Sequence, residues 1–206
     1  MSVSFAKYKK QMAASLDLAT QEQWRERFAV DVVKLAQESD GRDDLLQRLH
    51  DATAATGFEF KKIGSGGTRA VFALPFGLAL KVCVVGPAPD VLPVLSPNVA
   101  ELERSEAFPA FVPRCYGDVY RSLGEEAFDQ SIDALIVERV IPLHEFTDHL
   151  TVALGSTNNA NLGVCPRSGR LMVLDTGSAW AESVEQSFLD RSHPLMQFPF
   201  MWAPRW

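Results

Sequence analysis

Gly64-Ser65-Gly66-Gly67-Thr68-Arg69-Ala70-Val71, followed by Leu78-Ala79-Leu80-Lys81-Val82-Cys83-Val84, is the stretch on which the fold turns. Without a Cβ, glycine lets backbone amides approach phosphate oxygens closely. The element after the turn decides among the folds that use one. A dinucleotide-binding fingerprint needs a helix directly after the glycines, and Ala70 to Leu74 reads as β instead. A Walker A loop needs Gly-Lys-Ser/Thr, which does not occur here. A plain hairpin turn rich in glycine is the competing reading of this motif. Lys81 narrows the choice, because a lysine inside an apolar strand is costly unless its ammonium meets a charge partner. The competing explanation is an edge strand from which the ammonium snorkels into water.

Working outward, Phe58, Phe60 and Ile63 alternate with polar residues. Val71 to Leu74 and Leu78 to Val85 then flank a Pro75-Phe76-Gly77 turn, which predicts three antiparallel strands. A Pro-rich loop over 86–97 leads to a short helix from Asn98 to Ala107, carrying Glu101, Glu103 and Glu106. Two further strands are predicted at Cys115 to Tyr120 and Ala134 to Val140. A helix is predicted over Leu143 to Leu154, and a hairpin around Ser168-Gly169 joins Val164 to Leu171-Leu174. Upstream, Thr20 and Gln23 resemble a capping box ahead of Trp24, Phe28, Val32 and Leu35 at helical spacing. Leu45, Leu46, Leu49 and Ala52 predict a second helix, stopped by Gly57. Phe5, Tyr8, Met12 and Leu16 mark a weaker one.

A net charge of −6 gives no overall attraction for phosphate backbones or anionic lipid, so neither nucleic acid nor a membrane is an expected partner. Hydrophobic residues at 47% and charged residues at 22% are the proportions of a globular chain. The three cysteines, Cys83, Cys115 and Cys165, have no metal-ligand spacing and read as reduced thiols of a cytoplasmic protein. His50, His144, His149 and His193 show none either. Met1 to Lys10 carries no apolar secretory core, and the apolar run Val71 to Val85 is interrupted by Pro75, Gly77 and Lys81. A bilayer span would need about 20 unbroken apolar residues.

Glycine turn, lysine strand, helix with glutamate, Asn161-Leu162-Gly163-Val164 and Leu174-Asp175-Thr176-Gly177 succeed one another in an order that resembles the protein-kinase-like superfamily. The likeness is to its small, divergent members in bacteria and their phages, and it covers Phe58 to Ala179. It implies an α+β, reduced protein-kinase-like fold with a five-stranded antiparallel N-lobe sheet. The chain would divide into a helical N-terminal extension (1–57), an N-lobe (58–140) and a truncated C-lobe (141–206). It also implies ATP and Mg²⁺ as cofactors and a protein as substrate or partner. Gly64, Ser65, Gly66, Gly67 and Val71 would then meet the nucleotide, and Lys81 its α/β-phosphates. Glu101 would orient Lys81, the backbone of Glu138 to Val140 would face adenine, and Asn161 and Asp175 would hold the metal.

The sequence departs from that pattern in three places. Ser156 stands where such kinases carry the catalytic Asp, and 155–159 contains no carboxylate. Arg69 replaces the third glycine. The stretches after Val140 and after Asp175 are short for a helical lobe, so the N-terminal helices are expected to fold back as support. Asp148 or His149 as a replacement base, nucleotidyl transfer, and a pseudokinase that only binds a partner all remain open. Val173-Leu174-Asp175-Thr176-Gly177-Ser178-Ala179 also matches the aspartic-protease signature, although no second Asp-Thr-Gly exists to complete a dyad within one chain. The aromatic, proline-rich stretch 193–206 reads either as packing or as a partner-binding patch.

Overall fold

The computed structural model describes residues 5–14, 16–66, 68–84, 96–107, 109, 112–122, 130–142 and 162–173. Gly67, Ser156, Asn161 and Asp175 lie outside them, as do the helix predicted over 143–154, with Asp148 and His149, and the stretch 193–206. The chain is α+β. It divides into two compact units, Met1–Asn98 with Cys115–Glu138, and Val99–Arg114 with Arg139–Trp206.

In the first unit a 3-10 turn at Ala6–Tyr8 leads into α1 (Lys9–Met12), α2 (Leu18–Gln37) and α3 (Arg42–Ala54). The α2 cap is not the Thr20-Gln23 box. Asp17 accepts from Thr20 N at 2.9 Å and from Thr20 Oγ1 at 2.8 Å. Those bonds hold its carboxyl below the usual carboxylate range, the backbone amide of Thr20 contributing most. A carboxylate here also suits the positive end of the helix dipole. Beyond the cap, Phe28, Ala29, Val32, Leu35 and Ala36 form one buried stripe. Leu45 and Leu49 of α3 are fully buried, and Gly57, at φ 82°, ends the helical region.

Five strands come next: β1 (Lys62–Ser65), β2 (Arg69–Leu74), β3 (Leu78–Cys83), β4 (Cys115–Arg121) and β5 (Ile132–Glu138). They form one antiparallel sheet in the order β1-β2-β3-β5-β4. β1 begins at Lys62 rather than Phe58, because the Phe58 amide is spent on the helix stop, donating to Thr53 O at 3.3 Å. Phe60 still packs, stacking on Phe72 with centroids 5.2 Å apart. The β2–β3 turn is the Pro75–Gly77 segment, with both Phe76 (φ 61°) and Gly77 (φ 69°) left-handed.

Residues directly opposite in an antiparallel pair share a face, and alternate rows point to opposite faces. Leu74 with Leu78, Phe72 with Leu80 and Ile136, and Val82 with Ala134 and Val119 therefore form one face. They share a single core with Phe5, Tyr8, Phe28, Val32, Leu35, Leu45 and Leu49. The N-terminal helices do fold back, but onto this sheet face and in the same unit as the sheet, rather than in place of a second lobe. Trp24 packs against the same core, edge-on to Tyr8 at 5.9 Å. Gly117 lets α2 come close, since a Cβ there would lie 3.0 Å from Val33 Cγ2.

α4 (Pro97–Ala107) opens in the first unit and continues in the second. The second unit also contains a small antiparallel sheet, β6 (Ile141–Pro142), β7 (Leu162–Val164) and β8 (Leu171–Val173), in that order. The predicted hairpin is the β7–β8 pair, turned by Gly169 at φ 65°. Val140, Cys165 and Met172 form its apolar cluster. Among the described residues no helix is long and apolar enough to cross a membrane.

Candidate functional site

The sheet face opposite α2 carries Lys81, the strand lysine that the sequence singled out. Gly64, Val71, Lys81 and Leu135 occupy one continuous cross-strand row: Gly64 pairs with Val71, Val71 with Lys81, and Lys81 with Leu135. The register alone puts the glycine turn, Val71 and the lysine on neighbouring strands and one face. Lys81 is 6% exposed, and β3 has a strand on each side. Snorkelling from an edge strand is therefore excluded. Burying an ammonium costs several kcal/mol unless it is compensated (on the order of the effective penalty per buried ion).

The three glutamates of α4 separate cleanly. Glu101 is fully buried, whereas Glu103 and Glu106 are exposed. Asn98, Glu101 and Ser105 recur at helical spacing as the buried stripe of α4, so this helix hides a polar face. A carboxylate so placed needs a cation or hydrogen-bond donors, as a buried lysine needs an acceptor. Neither Lys81 nor Glu101 is without a partner.

At the glycine turn, Gly66 N donates to Arg69 O at 2.8 Å and Val84 N to Thr68 O at 2.8 Å, which closes and extends the β2 hairpins. The Gly66 amide is thus engaged within the turn. A Cβ at Gly66 would meet nothing within 4 Å, and one at Gly64 would come no nearer than 3.8 Å to Val71. Neither glycine takes a positive φ. Folding does not demand glycine at either position, but close approach of a ligand to the backbone would. Ser65 is exposed beside them.

Arg69, which stands where the kinase resemblance would put a third glycine, is a structural tie. It is 5% exposed, and its Nη1 donates to Asn98 Oδ1 at 3.3 Å and Pro97 O at 3.4 Å. Asn98 Nδ2 donates to Asp133 Oδ1 at 2.8 Å and Asp133 O at 3.1 Å. It also lies 3.5 Å from Cys83 Sγ. This cluster pins the start of α4 to β2, β3 and β5. Burial, with Asp133 adding to it, pushes the Cys83 thiol up to about 12, so it is no nucleophile at neutral pH. Nothing in the sequence marked Asn98 or Asp133, since a polar residue in a loop-to-helix junction reads as an ordinary cap.

Glu138 ends β5 and pairs with Leu78, so its side chain joins the α2 face, away from the Lys81 row. Only its backbone is available for the base contact the sequence suggested. It is 3% exposed and faces Arg25 Nη1 at 3.6 Å. Arg25 was missed in the sequence, although an arginine one turn before Phe28 in an apolar stripe was its signal. Val140 is buried in the second unit's cluster. The described residues bring Gly64 of the glycine turn, Val71 and the buried Lys81 into one row. The residues expected to hold Mg²⁺, Asn161 and Asp175, lie outside them, as do Gly67 and Ser156. No family model matches the chain, and no curated protein or solved structure matches it either.

Proposed function

We propose that the chain is a kinase-like ATP·Mg²⁺-binding protein of the phosphotransferase type, acting on a protein. The observation that carries this reading is Lys81, buried in the central strand and paired in register with Val71 of the strand that leaves the glycine turn. The order of elements supports it as well: glycine turn between β1 and β2, lysine on β3, then a helix with one buried glutamate before β4. In this reading Gly64, Ser65, Gly66 and Gly67 cover the phosphates and Lys81 binds them. Glu101 orients Lys81, while Val71 and the backbone from Glu138 to Val140 meet the base. Asn161 and Asp175 would hold Mg²⁺, which when bound neutralises phosphate charge.

Ser156 favours a second reading, a pseudokinase that binds nucleotide and a protein partner without transferring phosphate. A missing general base costs about 10²–10⁴-fold in rate. Phosphoryl transfer rests mainly on positioning and charge stabilisation, so that loss alone leaves measurable turnover.

Thermal unfolding with increasing Mg·ATP tests the site. Ligand at 100 times its Kd stabilises by about 2.7 kcal/mol, a readily measured rise in Tm. Lys81→Met keeps the aliphatic stem and removes the charge, and it should abolish the rise. A wild-type protein whose Tm does not respond to Mg·ATP sinks the proposal. Transfer of labelled γ-phosphate to protein then separates enzyme from pseudokinase.

A further inference from the structure

α2 crosses the apolar face of the sheet, yet it places a buried arginine there. Arg25 is 6% exposed, and its Nε donates to Phe76 O at 2.7 Å. Its Nη1 lies 3.4 Å from Glu22 Oε2 and 3.6 Å from Glu138 Oε1. Glu22 Oε1 in turn accepts from Tyr116 OH at 2.9 Å. One guanidinium therefore ties the β2–β3 turn and the end of β5 to α2, and through Glu22 it reaches β4.

The geometry around it is constrained from several sides. Phe76 holds a left-handed backbone at φ 61°, which a non-glycine residue adopts only under restraint, and its carbonyl is the one that Arg25 captures. At Gly77 a Cβ would stand 3.2 Å from Arg25 Nη2, so the turn leaves room for the guanidinium. A leucine at position 25 would seal the face without desolvating a charge. Buried ion pairs often stabilise no more than apolar replacements of the same volume, and a defined geometry is the better-attested return. Here the residue held in place is Glu138, the last of β5 and of the first unit, where the chain leaves the sheet.

We infer that Arg25 is a positioning residue for the backbone of Glu138, and through it for the base of a bound nucleotide. The inference rests on the proposed nucleotide site. α2 then serves two ends: its apolar stripe holds the sheet, and its one buried cation sets the peptide at Glu138 that meets the base.

The test separates base from phosphate. Binding of Mg·ATP and of Mg·tripolyphosphate is measured by calorimetry on the full chain for wild type, Glu138→Gln and the double variant Arg25→Met/Glu138→Leu. The double variant removes both charges of the Arg25–Glu138 pair together while Glu22 keeps its bond from Tyr116 OH, and Glu138→Gln is nearly isosteric should the double variant not fold. ATP affinity should fall about tenfold, the equivalent of one lost contact, while tripolyphosphate affinity stays within about twofold of wild type. Equal losses for both ligands, or unchanged ATP affinity, would overturn the positioning role. Wild type binding tripolyphosphate as tightly as ATP overturns it too. Wild type that binds neither ligand defeats the nucleotide site itself, a distinct result.

Discussion

On the sheet face that α2 covers, Leu74, Leu78, Leu80, Val82 and Ile136 share a core with Phe28, Val32 and Leu35. On the opposite face Lys81, Arg69, Cys83 and Asn98 are equally buried, among Ala73, Ala79 and Leu135. The same five strands thus carry an apolar side and a polar one. The first stabilises by removing side chains from water, at roughly 25 cal/mol per Å² of apolar surface. The second gains little from burial, because each polar group must recover in hydrogen bonds what it loses in hydration. The Arg69–Asn98–Asp133 cluster recovers it in contacts within the first unit. Lys81 lies on that polar face in a central strand, in register with Val71, and that placement is what draws the proposed function to it.

The apolar face should be the most sensitive. Phe28 is fully buried and meets Phe5, Tyr8 and Phe76 at centroid distances of 5.0, 5.1 and 5.8 Å. Phe28→Ala is expected to lower unfolding free energy by about 3–5 kcal/mol in urea titrations. A loss under about 1 kcal/mol would mean that the helices are not what holds the sheet. The polar face should yield less: Asn98→Ala strips Asp133 and Arg69 of one partner each and is expected to cost about 1–3 kcal/mol. If Asn98→Ala proves costlier than Phe28→Ala, the contrast between the faces is inverted and fails.

The smallest effect is alkaline. Burial raises the Cys83 thiol from 9.0 to about 12, and it raises the Tyr8 and Tyr116 hydroxyls above their ordinary value of 10.0. For Tyr8 the bond to Asp31 at 2.6 Å adds to the effect, and for Tyr116 the bond to Glu22. These groups ionise more readily in the unfolded chain, so their contribution is intact below the unfolded values and lost as pH rises past them. Stability should hold to pH 9.0 and fall from there towards about 12. Urea midpoints compared at neutral pH and in that window check it. Cys83→Ala should flatten the first part of the decline on the polar face, leaving the tyrosine part on the other.

Much of this could be read along the chain. The helical stripe of Phe28, Val32 and Leu35, the Pro75-Phe76-Gly77 turn and the apolar runs of β2 and β3 declared themselves, because hydrophobic period is a local property. Boundaries were less legible. β1 starts four residues late because Phe58 finishes a helix stop, and α2 starts early because Asp17 supplies the cap. Arg25 and Asn98 stayed silent for a different reason. An isolated arginine on a helix, or an asparagine at its start, looks like solvent-facing chemistry until the partner strand is in view.

Spacing and side-chain type sufficed for the α+β class, the antiparallel hairpins and the choice of Lys81 as the residue to explain. Three matters needed the folded chain: that β3 is central, that Glu101 rather than Glu103 or Glu106 is buried, and that α2 delivers Arg25 to Glu138. Period is written into neighbouring residues. Burial and charge pairing depend on groups far apart in sequence, and only packing brings those together.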